Sequence, residues 1–61
     1  MMIGKKFTNG EGRTFTIMDK VREHHHDHYL IRFEDGTYTH VGVFEVLNCN
    51  EVKDDKQLLQ G

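Results

Sequence analysis

The sequence predicts a small all-β domain of five short strands closing into a barrel, with one short 3-10 or helical turn before the last strand. Three observations predict it. Apolar and polar residues alternate through Arg13–Val21 and again through Tyr29–Glu34, the period-two pattern of a strand with one buried face. Turn residues cluster at Asn9-Gly10, Gly12 and Asp35-Gly36, and proline is absent. The chain has 61 residues, of which 36% are hydrophobic, so it can build one core and bury only about 60% of its unfolded surface. One domain is the ceiling.

In chain order, Met2–Thr8 reads as the opening strand, with Ile3 and Phe7 packing inward. Asn9-Gly10 and Gly12 make the first turn. In the next strand Phe15 and Ile17 alternate with Thr14 and Thr16, and in the one after it Tyr29, Ile31 and Phe33 alternate with Leu30, Arg32 and Glu34. Asp35-Gly36 leads into a β-branched and aromatic run, Thr37–Val41, and so reads as a tight hairpin with positive φ supplied by glycine. Its register is left open. A two-residue loop sets Tyr38 and His40 beside Phe33 and Ile31, whereas a bulge at Gly36 turns Val41 inward.

Val43, Phe44 and Leu47 then recur at i, i+1 and i+4 across Gly42–Asn48, a spacing that suits one helical or 3-10 turn. Glu51-Val52-Lys53 closes the sheet. The domain spans residues 1–54, and residues 55–61 read as a polar, frayed tail.

These positions carry a resemblance. Gly4-Lys5, Gly12, Phe15-x-Ile17, Tyr29-x-Ile31-x-Phe33-x-Asp35-Gly36, Val41, Leu47 and Glu51-Val52-Lys53 resemble the small SH3-like β-barrel domains of bacteriophages, which occur free-standing or beside phage HNH-type endonucleases. In that family the ending usually reads glycine, x, valine, lysine, asparagine, proline. Here it reads Asn50-Glu51-Val52-Lys53-Asp54-Asp55, without the glycine and proline. The resemblance implies an accessory binding domain of phage type. It contains no catalytic motif.

Composition excludes several classes. The apolar runs are too short to span a membrane, and Met1–Gly10 lacks the apolar centre of a signal peptide, so the expected location is cytoplasmic, in the host cell if phage-encoded. The single Cys49 makes no internal disulfide and reads as a small residue near a strand end. Net charge is −2 with both signs mixed along the chain, which gives nucleic acid no long-range attraction. No phosphate-binding glycine loop, CxxC pair or HNH-type metal motif is present.

Chemistry concentrates in His24-His25-His26-Asp27-His28. In an extended conformation His24, His26 and His28 share one face and are the candidate ligands for zinc, copper or nickel. As the tip of a hairpin joining Lys20 to Tyr29 the run is simply a solvated loop, and, as the distal or RT-type loop that the SH3-like resemblance implies, it is instead a place for partner recognition. No cofactor and no metal is assigned. Glu34-Asp35 reads as turn chemistry, Asp54-Asp55 as solvated tail, and neither as an acid-base pair, because adjacent acids in a strand face opposite ways.

The expected function is therefore non-enzymatic binding of a host or phage protein, modulating or inhibiting it. The expected contact residues are Lys20, Arg22, His24, His26, His28, Leu30, Arg32, Tyr38 and His40, and exposed strand edges allow a homodimer. The alternative is a nucleic-acid-binding barrel. It would gather Lys5, Lys6, Lys20, Arg22 and Arg32 on one face, interleaved with Tyr29, Tyr38 and the histidines.

Overall fold

In the computed structural model, which describes residues 2–53, the chain is all-β with one short helix. The strands are β1 (Lys6–Thr8), β2 (Thr14–Glu23), β3 (His26–Phe33), β4 (Tyr38–Gly42) and β5 (Asn50–Val52), with α1 (Val43–Leu47) between the last two. All pair antiparallel in one sheet of order β4-β3-β2-β1-β5. The end strands β4 and β5 are adjacent in the chain and linked through α1. The predicted tail at 55–61 lies outside the described residues.

Side chains that pair across neighbouring strands project to the same face. On the inner face Phe7, Phe15 and Phe33 form one row, and Ile17 and Ile31 the next. Phe7, Phe15, Ile17, Tyr29, Ile31 and Val46 are the buried core. Burying each such side chain contributes about 1.5–3 kcal/mol. The Phe15 ring stacks on Phe7 at 6.1 Å and meets Phe33 edge-on at 6.0 Å, arrangements that add to area burial.

Two hairpins use the same turn. The Asn9 N–H donates to the Arg13 carbonyl and the Gly12 N–H to the Asn9 carbonyl; likewise Phe33 N–H donates to Thr37 and Gly36 N–H to Phe33. Each loop therefore has three residues and ends on a glycine of positive φ, +81° at Gly12 and +92° at Gly36, the geometry of a turn closed by a glycine bulge. Gly36 thus decides the register left open by the sequence. Val41 pairs with Tyr29 and packs against the core, and Thr39, not His40, stands opposite Ile31.

Two expectations are corrected. The opening strand is shorter than Met2–Thr8, because Gly4 adopts φ +92° in a turn where the Lys5 N–H donates to the Met2 carbonyl. That turn leaves Ile3 45% exposed and packs Met2 on the core instead. Second, β2 does not alternate evenly: the ladder shifts between Ile17 and Asp19, leaving Met18 as the extra residue of a bulge, 40% exposed. The helical turn expected across Gly42–Asn48 is α1, whose inward residues are Val46, buried, and Val43, half-buried, whereas Phe44 and Leu47 point outward. A five-residue helix has one core-facing stripe, and Val43 and Val46 at i, i+3 occupy it.

Candidate functional site

The histidine run is not an extended segment. β2 and β3 pair down to Glu23 opposite His26, so the tip is the two residues His24 and His25, with φ of +50° and +66°. Two consecutive residues of positive φ are what a two-residue hairpin loop of primed type demands, a position usually held by Asn-Gly. His24 therefore sits in the turn and does not share a strand face with His26 and His28. The loop expected from Lys20 to Tyr29 is for the most part strand.

Register gathers most of the expected contact residues on the outer face. There His26, His28, Leu30 and Arg32 follow one another along β3, with His40 opposite Leu30 and Tyr38 opposite Arg32 on β4. Lys20 and Arg22 lie on the other face, opposite Tyr29 and Asp27. Asp27 holds both, with its carboxylate 3.5 Å from the Lys20 amine and 3.9 Å from the Arg22 guanidinium.

Two outer-face details stand out. His28 and His40 have ring centroids 4.7 Å apart at 53°. His28 Nε2 is shielded from solvent without a hydrogen-bond partner, and the nearest carboxylate oxygen, Oε1 of Glu23, is 3.9 Å away. Among the described residues, no three His, Cys, Asp or Glu side chains converge as they stand to hold a metal ion, so the candidate set His24, His26 and His28 is not assembled.

Beside the hairpin lies a feature that the sequence reading missed. β4 leaves the sheet at Gly42, opposite His28, and β3 runs on through Asp27 and His26. The chain turns there into α1, leaving an open concavity of about 680 Å³ between hairpin and helix, lined by Arg22, His26, His28, Gly42, Val43 and Phe44. Phe44 is 81% exposed and Leu47 66%. A signal for this was present in the sequence: Val43 and Phe44 are consecutive, and a single helical turn cannot aim both at one core.

The cations are dispersed. Lys5 lies 4.0 Å from Glu51, Lys53 3.6 Å from Glu51, and Arg13 3.4 Å from Asp35. Lys6 and Arg32 share an outer-face row with Thr16 between them and Tyr38 at its end. Tyr29, expected among the stacking residues of the nucleic-acid alternative, is 7% exposed and belongs to the core. Cys49 is half-buried, donating its thiol to the Glu45 carbonyl at 3.2 Å. No described helix is long and apolar enough to cross a membrane.

Compared with protein-family models, curated proteins and solved structures, the chain matches none.

Proposed function

We propose that this chain is a non-enzymatic binding module of the phage SH3-like type, and that it docks on a protein of host or phage and modulates or inhibits it. The observation that carries the proposal is the outward pair Phe44 and Leu47 on α1, 81% and 66% exposed. A large aromatic held in water by a helix whose other side is anchored in the core is a pre-formed contact, and phenylalanine is among the residues enriched at the centres of protein interfaces. The concavity between Phe44 and the histidine hairpin gives a partner side chain a place to enter. The element order, five strands with a helical turn before the last, supports the SH3-like reading. The dispersal of Lys5, Lys20, Arg22, Arg13 and Lys53 among carboxylates supports a protein partner over a phosphate backbone.

A second reading has one observation in its favour. Lys6, Arg32 and Tyr38 lie in a single row across the outer face, and basic side chains beside an exposed aromatic suit single-stranded nucleic acid.

The test is affinity capture with the tagged chain from bacterial lysate, with and without nuclease, alongside Phe44→Ser. The expected result is a discrete protein retained after nuclease and lost with Phe44→Ser. Recovery of nucleic acid that salt and nuclease abolish, unaffected by Phe44→Ser, overturns the proposal in favour of the second reading.

A further inference from the structure

The two end strands of the sheet meet solvent differently. An edge strand offers a row of free N–H and C=O groups to any strand able to pair with it, and proteins blunt such edges with short length, charge or proline. β5 is blunted: it has three residues, and its Glu51 carboxylate stands beside Lys5 and Lys53. β4 is not. Its five residues, Tyr38–Gly42, include no carboxylate, lysine, arginine or proline, and its ladder to β3 runs without a bulge. Tyr38, Thr39 and His40 are all exposed.

Register determines which backbone groups of β4 are free. Pairs in an antiparallel ladder alternate between hydrogen-bonded and non-bonded, and the Phe33 N–H donates to the Thr37 carbonyl. Thr39 and Val41 therefore turn their backbone groups to Ile31 and Tyr29. Tyr38, His40 and Gly42 turn theirs away from the sheet, the Gly42 carbonyl being taken by the first turn of α1. The free set is centred on His40.

We propose that β4 pairs antiparallel with β4 of a second copy of this chain, across a two-fold axis at His40, so that two sheets become one. Among the described residues no other strand offers a free, uncharged edge of matching length, since β1, β2 and β3 are paired on both sides and β5 is short and charged. Self-pairing about His40 sets the N–H and C=O of each His40 against those of the other, and aims each Gly42 N–H at the Tyr38 carbonyl across from it. It also lays the Tyr38 ring, 57% exposed, over Gly42 of the other copy. A Cβ built at Gly42 meets nothing within 4 Å, and an aromatic opposite an edge glycine fills that space. The two-fold arrangement is closed and leaves only the blunted β5 edges outside. Because it uses the backbone of β4 and not α1, it is independent of whether Phe44 docks a partner.

The test is sedimentation equilibrium of the full chain from about 1 μM to about 1 mM, where a reversible monomer–dimer equilibrium is expected. His40→Lys sets like charges opposite each other, and His40→Pro removes only a donor that the β3 ladder does not use; each raises the dissociation constant by about tenfold. Circular dichroism reports the folding of each variant, and should His40→Pro not fold, His40→Lys decides. With Cys49→Ser as background and glutathione disulfide as oxidant, His40→Cys is expected to crosslink into a dimer faster than Thr39→Cys, as an axis at His40 requires. A chain that stays monomeric throughout overturns the proposal, as does a dimer that His40→Lys leaves intact or crosslinking that favours Thr39→Cys. Mass that keeps growing beyond the dimer overturns it too, because β4 then pairs with a different surface of the next copy.

Discussion

The guanidinium carbon of Arg13 lies 3.8 Å from the centroid of the Phe33 ring. The same group reaches Asp35 at 3.4 Å, so one side chain ties the two glycine-bulge hairpins together across the end of the sheet opposite the histidines. Exposed cation–aromatic contacts contribute about 0.5–1 kcal/mol, and exposed ion pairs about 0–1 kcal/mol. Arg13→Ala is therefore expected to lower stability by about 1 kcal/mol, and Arg13→Lys, which keeps charge but loses the flat face that covers the ring, by most of that amount. Urea unfolding of the three proteins checks this; equal stability of Arg13→Lys and the parent would mean that charge alone matters.

Gly36 fixes the register of β3 and β4 through its backbone and not through lack of space. A Cβ built there meets only Arg32 Nη2, at 3.9 Å, an ordinary contact, whereas φ of +92° is costly for any L side chain. Gly36→Ala is expected to destabilise by about 1–2 kcal/mol, and Gly36→Asn by less, because asparagine tolerates positive φ. Thermal unfolding distinguishes them, with Gly36→Asn melting between the parent and Gly36→Ala.

At the opposite hairpin the sequence works against its own turn. His24 and His25 both hold positive φ, where non-glycine residues are strained. The double variant His24→Asn/His25→Gly supplies the residues that a primed turn prefers and is expected to raise stability by about 1 kcal/mol, or roughly 4–8 °C in melting temperature for a domain of this size. A drop in melting temperature would mean that the histidine side chains at the tip make stabilising contacts.

Asp35 makes the acid limb of stability specific. Its carboxylate accepts from the Thr37 hydroxyl at 2.6 Å and the Thr37 N–H at 2.9 Å, and these bonds, helped by Arg13, hold its pKa below the ordinary 3.8. A carboxyl whose folded pKa is depressed stabilises the fold above its unfolded value, and the contribution fades as pH falls from about 4 through the folded pKa. Unfolding curves between about pH 5 and pH 2 are expected to show a shallower loss for Asp35→Asn than for the parent. Parallel curves would place the acid sensitivity in other carboxylates.

The strands were legible because burial leaves a period of two, and Phe15, Ile17, Tyr29, Ile31 and Phe33 all project inward as that period requires. The two glycine turns were equally legible as turns. Register was not, since Asp35-Gly36 is compatible with either a two-residue loop or a bulge, and only packing of Val41 against the core separates them. The bulge at Met18 and the shortened β1 were hidden for the same reason: each breaks alternation where the local sequence still reads as strand. For the candidate site, the sequence located the histidines but not their turn. His-His is a poor match to primed-turn chemistry, so strand pairing from both sides had to impose it. The partnership of His28 with His40 depends on the β3–β4 register and was therefore out of reach.

Val46 and Phe44 lie two residues apart on α1 and divide folding from binding. Val46 is 1% exposed and sits in the core with Phe7, Phe15 and Ile31, while Phe44 is 81% exposed. Val46→Ala removes buried methyl groups and leaves a cavity that neighbouring rings fill only in part, so it is expected to cost about 2 kcal/mol, a large share of the stability of a domain this small. Phe44→Ala removes more hydrophobic surface yet takes almost none of it from the folded interior, and its expected effect on stability is within about 0.5 kcal/mol. Denaturant unfolding of both variants checks the asymmetry. If Phe44→Ala instead destabilises the chain as Val46→Ala does, its ring covers the core and the helix is a structural cap; if it leaves stability intact while abolishing partner capture, the aromatic is held in water for recognition.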